Sequence, residues 1–469
     1  MTFSSLIFLT LFLPLFLLSY FVIKNRKYRN FVILIFSLLF YAWGEPLYIF
    51  LILFSILVNY LLALLIDKKR EKKYLILAVA FNLGLLIYYK YTNFIIDIFN
   101  INIKEFNVIL PIGISFYTFQ ILSYVIDVYY KKVKVQKNIF YLGCYITFFP
   151  QLIAGPIVRY ETIEDELSNR KETLESFQIG IRKFITGLGK KVLIADNVGY
   201  IATQVLQLEA TSYGFIGVIF GMLAYSLQIY FDFSGYSDMA IGLGKMTGFN
   251  FLENFNYPYI AKSITDFWRR WHISLSSFFR DYVYIPLGGN KKRHILNIMI
   301  VWSLTGLWHG ASVNFIIWGM YYGLLLLIEK LFLNKYLKKA PTIIQRIYTL
   351  VIVMIGWGIF KVTTFNEVKD LFSSMIFLNG LGDIKIISLT GVFNFKYLLS
   401  FILGLILSTP IMPKLIKKIN NQVLVDIGYI LIFILCIIKI VVSSYSPFIY
   451  FRFWKKPFFY NWPDKVSVL

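Results

Sequence analysis

TGLWHGASVNFIIWG occupies residues 305–319, between an apolar run that ends near Leu304 and another that continues to about Ile328. Length alone puts this stretch in or close to a lipid bilayer. A histidine among Trp, Gly and apolar side chains at that depth costs free energy that function has to justify. The chain has three histidines, His272, His294 and His309.

Of the 469 residues, 58% are hydrophobic and 19% aromatic, and only 15% are charged. One soluble core of this size cannot hide so much apolar surface, and the chain reads as an all-α polytopic membrane protein. The formal charge of +22 would suggest nucleic acid in a soluble protein. Here the Lys and Arg cluster in short loops between apolar runs, the pattern that orients membrane helices, so nucleic acid is excluded as a partner. The two cysteines, Cys144 and Cys436, lie inside apolar stretches and suit neither a disulfide framework nor a cysteine metal site. The first run, Leu6 to Ile23, lacks a basic n-region and a small-residue cleavage site, and KNRKYR (24–29) follows it. It reads as a retained first span with the N-terminus outside.

Apolar runs long enough to span, or nearly so, fall at about 5–23, 31–43, 47–66, 74–90, 108–128, 191–208, 214–233, 295–311, 313–331, 345–363, 397–413 and 423–443. These predict about 11–12 transmembrane helices. The basic loops KNRKYR, DKKREKK (67–73) and KKVKVQK (131–137) share one side, the cytoplasmic one, and GEP (44–46) and the 366–395 loop share the other. An even number of spans returns the C-terminus to the outside. Residues 139–158, IFYLGCYITFFPQLIAGPIV, carry Pro150, Gly155 and Pro156 and suit a re-entrant segment buried in protein. SITDFWRRWHISLSSFF (263–279) sets Phe267, Trp271, Leu275 and Phe278 at helical spacing, with Asp266, Arg269 and Arg270 off that stripe. It is expected as one amphipathic helix on the cytoplasmic interface. With no repeat, linker or low-complexity segment, residues 1–469 form a single membrane domain. Its last part, 434–469, ends the final span and forms an outer tail.

GLGK occurs at 187–190 and 242–245, but Phe184 and Met239 stand where a phosphate loop needs its first glycine, and neither lysine precedes Ser or Thr. No HExxH, cysteine partner or carboxylate triad accompanies His272 and His309, so no metal is expected. There is no GxSxG elbow, and Ser303 and Ser312 suit helix packing as well as chemistry. His309 remains as a general base, against the alternative of an imidazole that only hydrogen-bonds a neighbouring helix. QIYFDFSGYSDMAIGLG (228–244) ends an apolar run with Asp232 and Asp238, readable as solvated caps or as functional carboxylates. The segment that follows brings Arg269, Arg270, Arg280, Lys291, Lys292 and Arg293 to the cytoplasmic side, where they could bind anionic lipid headgroups or a phosphate-bearing donor such as a coenzyme A thioester.

The blocks YFDFSGYSDMAIG (230–242), NFNYPYIAKSITDFWRRWHISLSSFFRDYVYIPLGGN (254–290) and TGLWHGASVNFIIWG resemble those of the membrane-bound O-acyltransferase family, in its bacterial branch of alginate O-acetyltransferases and teichoic-acid D-alanyl transferases. FFPQLIAGPIVRY (148–160) and SPFIYFRF (446–453) extend the resemblance over essentially the whole chain. It implies a central funnel in which a cytoplasmic acyl donor meets an outer acceptor. It also implies that His309 is the catalytic histidine and that His272 matches a second family histidine or polar residue on the cytoplasmic side, while His294 matches nothing. On this resemblance Trp268, Arg269, Arg270 and Arg280 are expected at the donor, acetyl-CoA, and no cofactor is held permanently. The implied function is O-acetylation of an extracellular or cell-wall polysaccharide from the bacterial plasma membrane, with an extracytoplasmic serine-esterase-like partner and with membrane lipids around the chain. D-alanyl transfer to teichoic acid and a lipid or precursor transporter are the alternatives. Tyr450 is expected either as an acyl relay in the outer funnel or, with Phe448 and Phe453, as part of an aromatic belt at the interface.

Overall fold

The computed structural model describes residues 1–101, 103, 108–362, 364–442 and 448, and every regular element among them is helical. Six helices among the described residues are long and apolar enough to cross a membrane: Tyr48–Lys69, Lys72–Ile98, Ala210–Met246, Val313–Leu337, Thr342–Lys361 and Gln422–Val442. Phe8–Val22 and Phe395–Leu407 are shorter apolar helices. The last long helix shows where lipid lies, because Ile427, Ile430, Leu431, Ile434, Leu435 and Ile438 are all exposed on it.

Other apolar runs become helices too short to cross alone. Ile114–Tyr129 and His294–His309 have 16 residues each. At about 1.5 Å per residue such a helix is about 24 Å long, less than the roughly 30 Å of a hydrocarbon core. Ile114–Tyr129 is buried almost throughout, as is most of the long Ala210–Met246 helix, so these two form the interior, while Gln422–Val442 faces lipid. The 139–158 segment breaks into Ile139–Thr147 and Phe149–Leu152, with every residue from 142 to 158 buried in protein, as a re-entrant segment requires.

Three stretches differ from their sequence reading. The 214–233 run does not stop at Asp232; the helix continues to Met246 with Asp232 and Asp238 inside it. They are not solvated caps, because cations from the preceding helical stretch meet them: Lys191 lies 2.8 Å from Asp232, and Lys190 and Lys183 lie 2.6 and 2.9 Å from Asp238. A buried carboxylate survives at this depth only with such partners. Glycines let the two helices approach closely enough for these pairs. A Cβ on Gly187 would stand 2.4 Å from the Gly235 carbonyl oxygen, and one on Gly242 would stand 2.6 Å from that of Gly180. Both GLGK stretches are therefore helix-crossing points.

The 74–90 run likewise does not end at Lys90, since its helix runs on to Ile98. The third difference is at 263–279, which is two short helices, Ile264–Trp268 and Ile273–Phe279. His272 breaks them apart with a left-handed backbone, φ +44°. Their apolar stripe, Phe267, Trp271, Leu275 and Phe278, is buried in the core instead of resting on a membrane surface. The buried carboxylate of Glu329 anchors the first helix by accepting from the Ile264 and Thr265 N–H groups and the Thr265 hydroxyl.

Candidate functional site

His309 is the last residue of the His294–His309 helix; the chain turns extended at Gly310 (φ −173°, ψ 158°) and re-enters a helix at Val313. The two helices form a tight hairpin. A Cβ on Gly306 would be 2.1 Å from the Phe315 carbonyl oxygen, and one on Gly319 would be 2.2 Å from that of Trp302. The glycines of TGLWHG…WG thus set the crossing beside which His309 projects. Its ring is buried, with Trp308 and Trp318 edge-on at 5.0 Å and Phe360 at 5.2 Å.

His272 also meets Trp308, whose ring lies 5.6 Å away. Its Nδ1 is 3.2 Å from Asn254 Oδ1, an oxygen that also accepts from the Ser274 N–H and hydroxyl. An acceptor-rich contact of this kind assigns the proton to Nδ1 and leaves Nε2 with a lone pair. Nε2 is buried and has no protein partner among the described residues. Burial pushes the His272 pKa down, so the ring is neutral.

Both histidines line one cavity of about 630 Å³. His309, His272, Trp268 and Trp271 line its buried side, and Arg269, Arg280 and Lys330 line its exposed side. His294, unassigned in the sequence, also lines it, bonded through Nδ1 to the Tyr284 hydroxyl at 2.9 Å. Trp268 forms wall, packed on Trp302 at 4.7 Å and Tyr322 at 4.9 Å. Arg280 and Lys330 both sit on π-helical turns, Arg280–Tyr284 and Glu329–Leu333, a wider winding that recurs near functional sites. Partial burial pushes the Asp281 carboxyl up, but the bonds from Arg280 and Arg159 outweigh it and hold its pKa below the usual carboxylate range.

The structure therefore brings together His309, His272, Trp268, Arg269 and Arg280. Arg270 is not part of the lining; its guanidinium binds Asp266 at 2.8 Å and the Asn256 carbonyl. Tyr450 lies outside the described residues. Phe448 is described and is buried, its ring 5.2 Å from Tyr236 and 5.8 Å from Phe233, so it is no interface aromatic. Phe233 in turn meets His272 edge-on at 4.7 Å. Asn254 and Lys330 went unnoticed as site residues in the sequence. Asn254 was legible only as one polar letter in NFNYPY, and Lys330 only as a charge near the end of the 313–331 run.

The arrangement can do acyl chemistry: neutral imidazoles at the dry end of a cavity, cations at the wet end, and an aromatic wall between them. The profile of the family described as MBOAT, membrane-bound O-acyltransferase family, matches residues 133–366, which include all three histidines. A probable alginate O-acetylase AlgI of Pseudomonas putida is 38% identical, over 97% of this chain and 100% of its own length. The peptidoglycan O-acetyltransferase of Helicobacter pylori is 34% identical over 81% of this chain and 80% of its own. The teichoic acid D-alanyltransferase of Bacillus subtilis is 34% identical over 56% and 71%. With a relative matched from end to end and both buried histidines inside the matched segment, the chain belongs to the membrane-bound O-acyltransferase family and is an O-acyltransferase.

Proposed function

We propose that this O-acyltransferase takes an acetyl group from acetyl-CoA on the cytoplasmic side and passes it through the membrane for O-acetylation of an extracellular or cell-wall polysaccharide. The observation that carries this reading is the single cavity with His309 and His272 at its buried side and Arg269, Arg280 and Lys330 at its exposed side. Cations there suit the phosphates of a coenzyme, and the aromatic wall suits its apolar arm. The likeness to an alginate O-acetylase over the full length favours acetyl over D-alanyl, whose relative matches 56% of the chain. The protein sits in the bacterial plasma membrane with both termini outside.

His309 acts as the general base and Tyr450 as the acyl relay. The phenol oxygen attacks the thioester carbonyl while His309 takes the phenol proton; the C–S bond breaks, and His309 returns the proton to the departing thiolate. A serine hydroxyl of an extracytoplasmic esterase-like partner then attacks the tyrosyl acetate, which releases the phenol and carries acetyl outward. A phenol pKa near 10 makes the aryl ester a good donor for that second step.

Intact-mass measurement of the purified protein incubated with acetyl-CoA tests the reading. Acetyl is expected on the 446–453 peptide and is expected to vanish in His309→Ala and in Tyr450→Phe. Full polymer acetylation by His309→Ala would remove the assigned base, and by Tyr450→Phe the relay.

A further inference from the structure

Lys90 lies inside the membrane-spanning Lys72–Ile98 helix and is 9% exposed. A lysine at such a depth is kept only where something binds it, and its default reading is functional. Its Nζ donates to the carbonyl oxygen of Trp308 and, at 3.0 Å, to the Ser115 hydroxyl. The next residue repeats the contact: the Tyr91 hydroxyl donates to the Leu307 carbonyl at 2.7 Å.

Leu307 and Trp308 belong to the last turn of the His294–His309 helix. The final carbonyls of a helix have no acceptor role inside it, and a C-terminal glycine or side-chain cap usually meets them. Here Gly310 is extended and the chain turns away, so that end would be open in an apolar interior. Lys90 and Tyr91 close it from a neighbouring helix by donating to its last carbonyls. Ser115 joins the clamp, since the Trp308 indole N–H reaches its carbonyl at 3.5 Å. Trp308 is also in ring contact with both histidines, 5.0 Å from the His309 ring and 5.6 Å from that of His272.

We propose that Lys90 is a positioning residue for acyl transfer. With Tyr91 it closes the carbonyl end of the histidine helix, and it thereby fixes Trp308 and the aim of His309 relative to His272. The inference rests on the reading of His309 as the base. A Lys90 that served only the stability of the helix packing would leave the rate per folded molecule unchanged when replaced; a positioning Lys90 would not.

The experiment compares Lys90→Met, Lys90→Arg, Tyr91→Phe and His309→Ala in the full chain. It reads folded amount and melting temperature in detergent, acyl groups gained by the surface polymer per folded protein in cells, and kcat and KM with acetyl-CoA as the probe. Lys90→Met is expected to lose about 100-fold in rate per folded protein, the scale of a 1 Å misplacement, with KM within about twofold. Lys90→Arg should recover at least about a tenth of the wild-type rate, and Tyr91→Phe should fall several-fold. A Lys90→Met rate within about threefold of wild type per folded protein overturns the proposal, as does a raised KM at unchanged kcat. If Lys90→Met does not accumulate, Lys90→Arg and Tyr91→Phe decide, and wild-type rates in both overturn it. Activity retained by His309→Ala would remove the reading underneath, whereas an inactive His309→Ala beside a fully active Lys90→Met would remove this inference alone.

Discussion

Replacing Gly306 with alanine adds one methyl group three residues before His309, at the point where the hairpin helices touch. The new Cβ would stand 2.1 Å from the Phe315 carbonyl oxygen, 3.0 Å from its carbon and 3.4 Å from the Cα of Gly319. The blocking atoms are backbone, so no side-chain rotation relieves the clash. Restoring an ordinary separation of about 3.5 Å forces the two helices apart by more than about 1 Å. His309 rides on one helix, while Trp318, 5.0 Å from its ring, rides on the other. A displacement of this size costs about 100-fold in rate where a base must meet a hydroxyl and a carbonyl at once. Overpacking alone costs about 1–3 kcal/mol in stability, which a membrane domain of this size survives. Gly428→Ala is the matched control, because a Cβ there meets nothing within 4 Å. The assay is polymer acyl content per folded protein, with folded protein measured by gel filtration in detergent. A Gly306→Ala protein with wild-type rate per folded molecule, or a Gly428→Ala protein equally impaired, would refute the claim that the glycine crossing sets the aim of His309.

Arg269→Gln should raise the KM for acetyl-CoA with kcat unchanged, since Arg269 lines the exposed side of the cavity, whereas Arg270→Gln should leave both constants alone, since Arg270 is held by Asp266; steady-state kinetics on the pair checks this. Burial pushes the Glu172 carboxyl up, but its bonds from Arg26 and Tyr20 prevail and hold its pKa at about 2 against an ordinary 4.5. Its contribution to stability is therefore complete above about pH 4.5 and disappears as pH falls toward 2, so melting temperature measured across that window should drop in wild type and flatten in Glu172→Gln.

Much of the site was open to reading because each key residue violates a composition rule. His309 stands out as an imidazole among Trp and Gly at membrane depth, and the aromatic block around His272 is too polar to span and too apolar for a loop. Helix ends were harder. Hydropathy follows runs of apolar letters, and a run stops at a charge whether or not the helix does. That is why 214–233 and 74–90 were cut at Asp232 and Lys90, which the fold keeps inside helices by supplying Lys191 to the first and the Trp308 carbonyl to the second. Such partners come from distant segments and leave no local trace. The break at His272 was hidden for a related reason: periodicity records which residues are apolar, and a single left-handed residue changes the direction of the chain without changing that pattern. Asn254, which orients His272, is one of several Asn in an aromatic loop, and only folding singles it out.

The collar of Trp308, Trp318 and Phe360 around His309 also bears on bioenergetics. A membrane that stores a proton gradient tolerates a deep cavity only if the remaining septum is dry, and a histidine is the side chain best able to carry protons across a thin one. Three large rings with centroids 5.0 to 5.2 Å from that of the imidazole crowd the space that a water chain beside it would need. Opening that collar with Trp318→Ala or Phe360→Ala is therefore expected to raise proton flux into vesicles that carry the protein, and unchanged flux would deny the rings this second role.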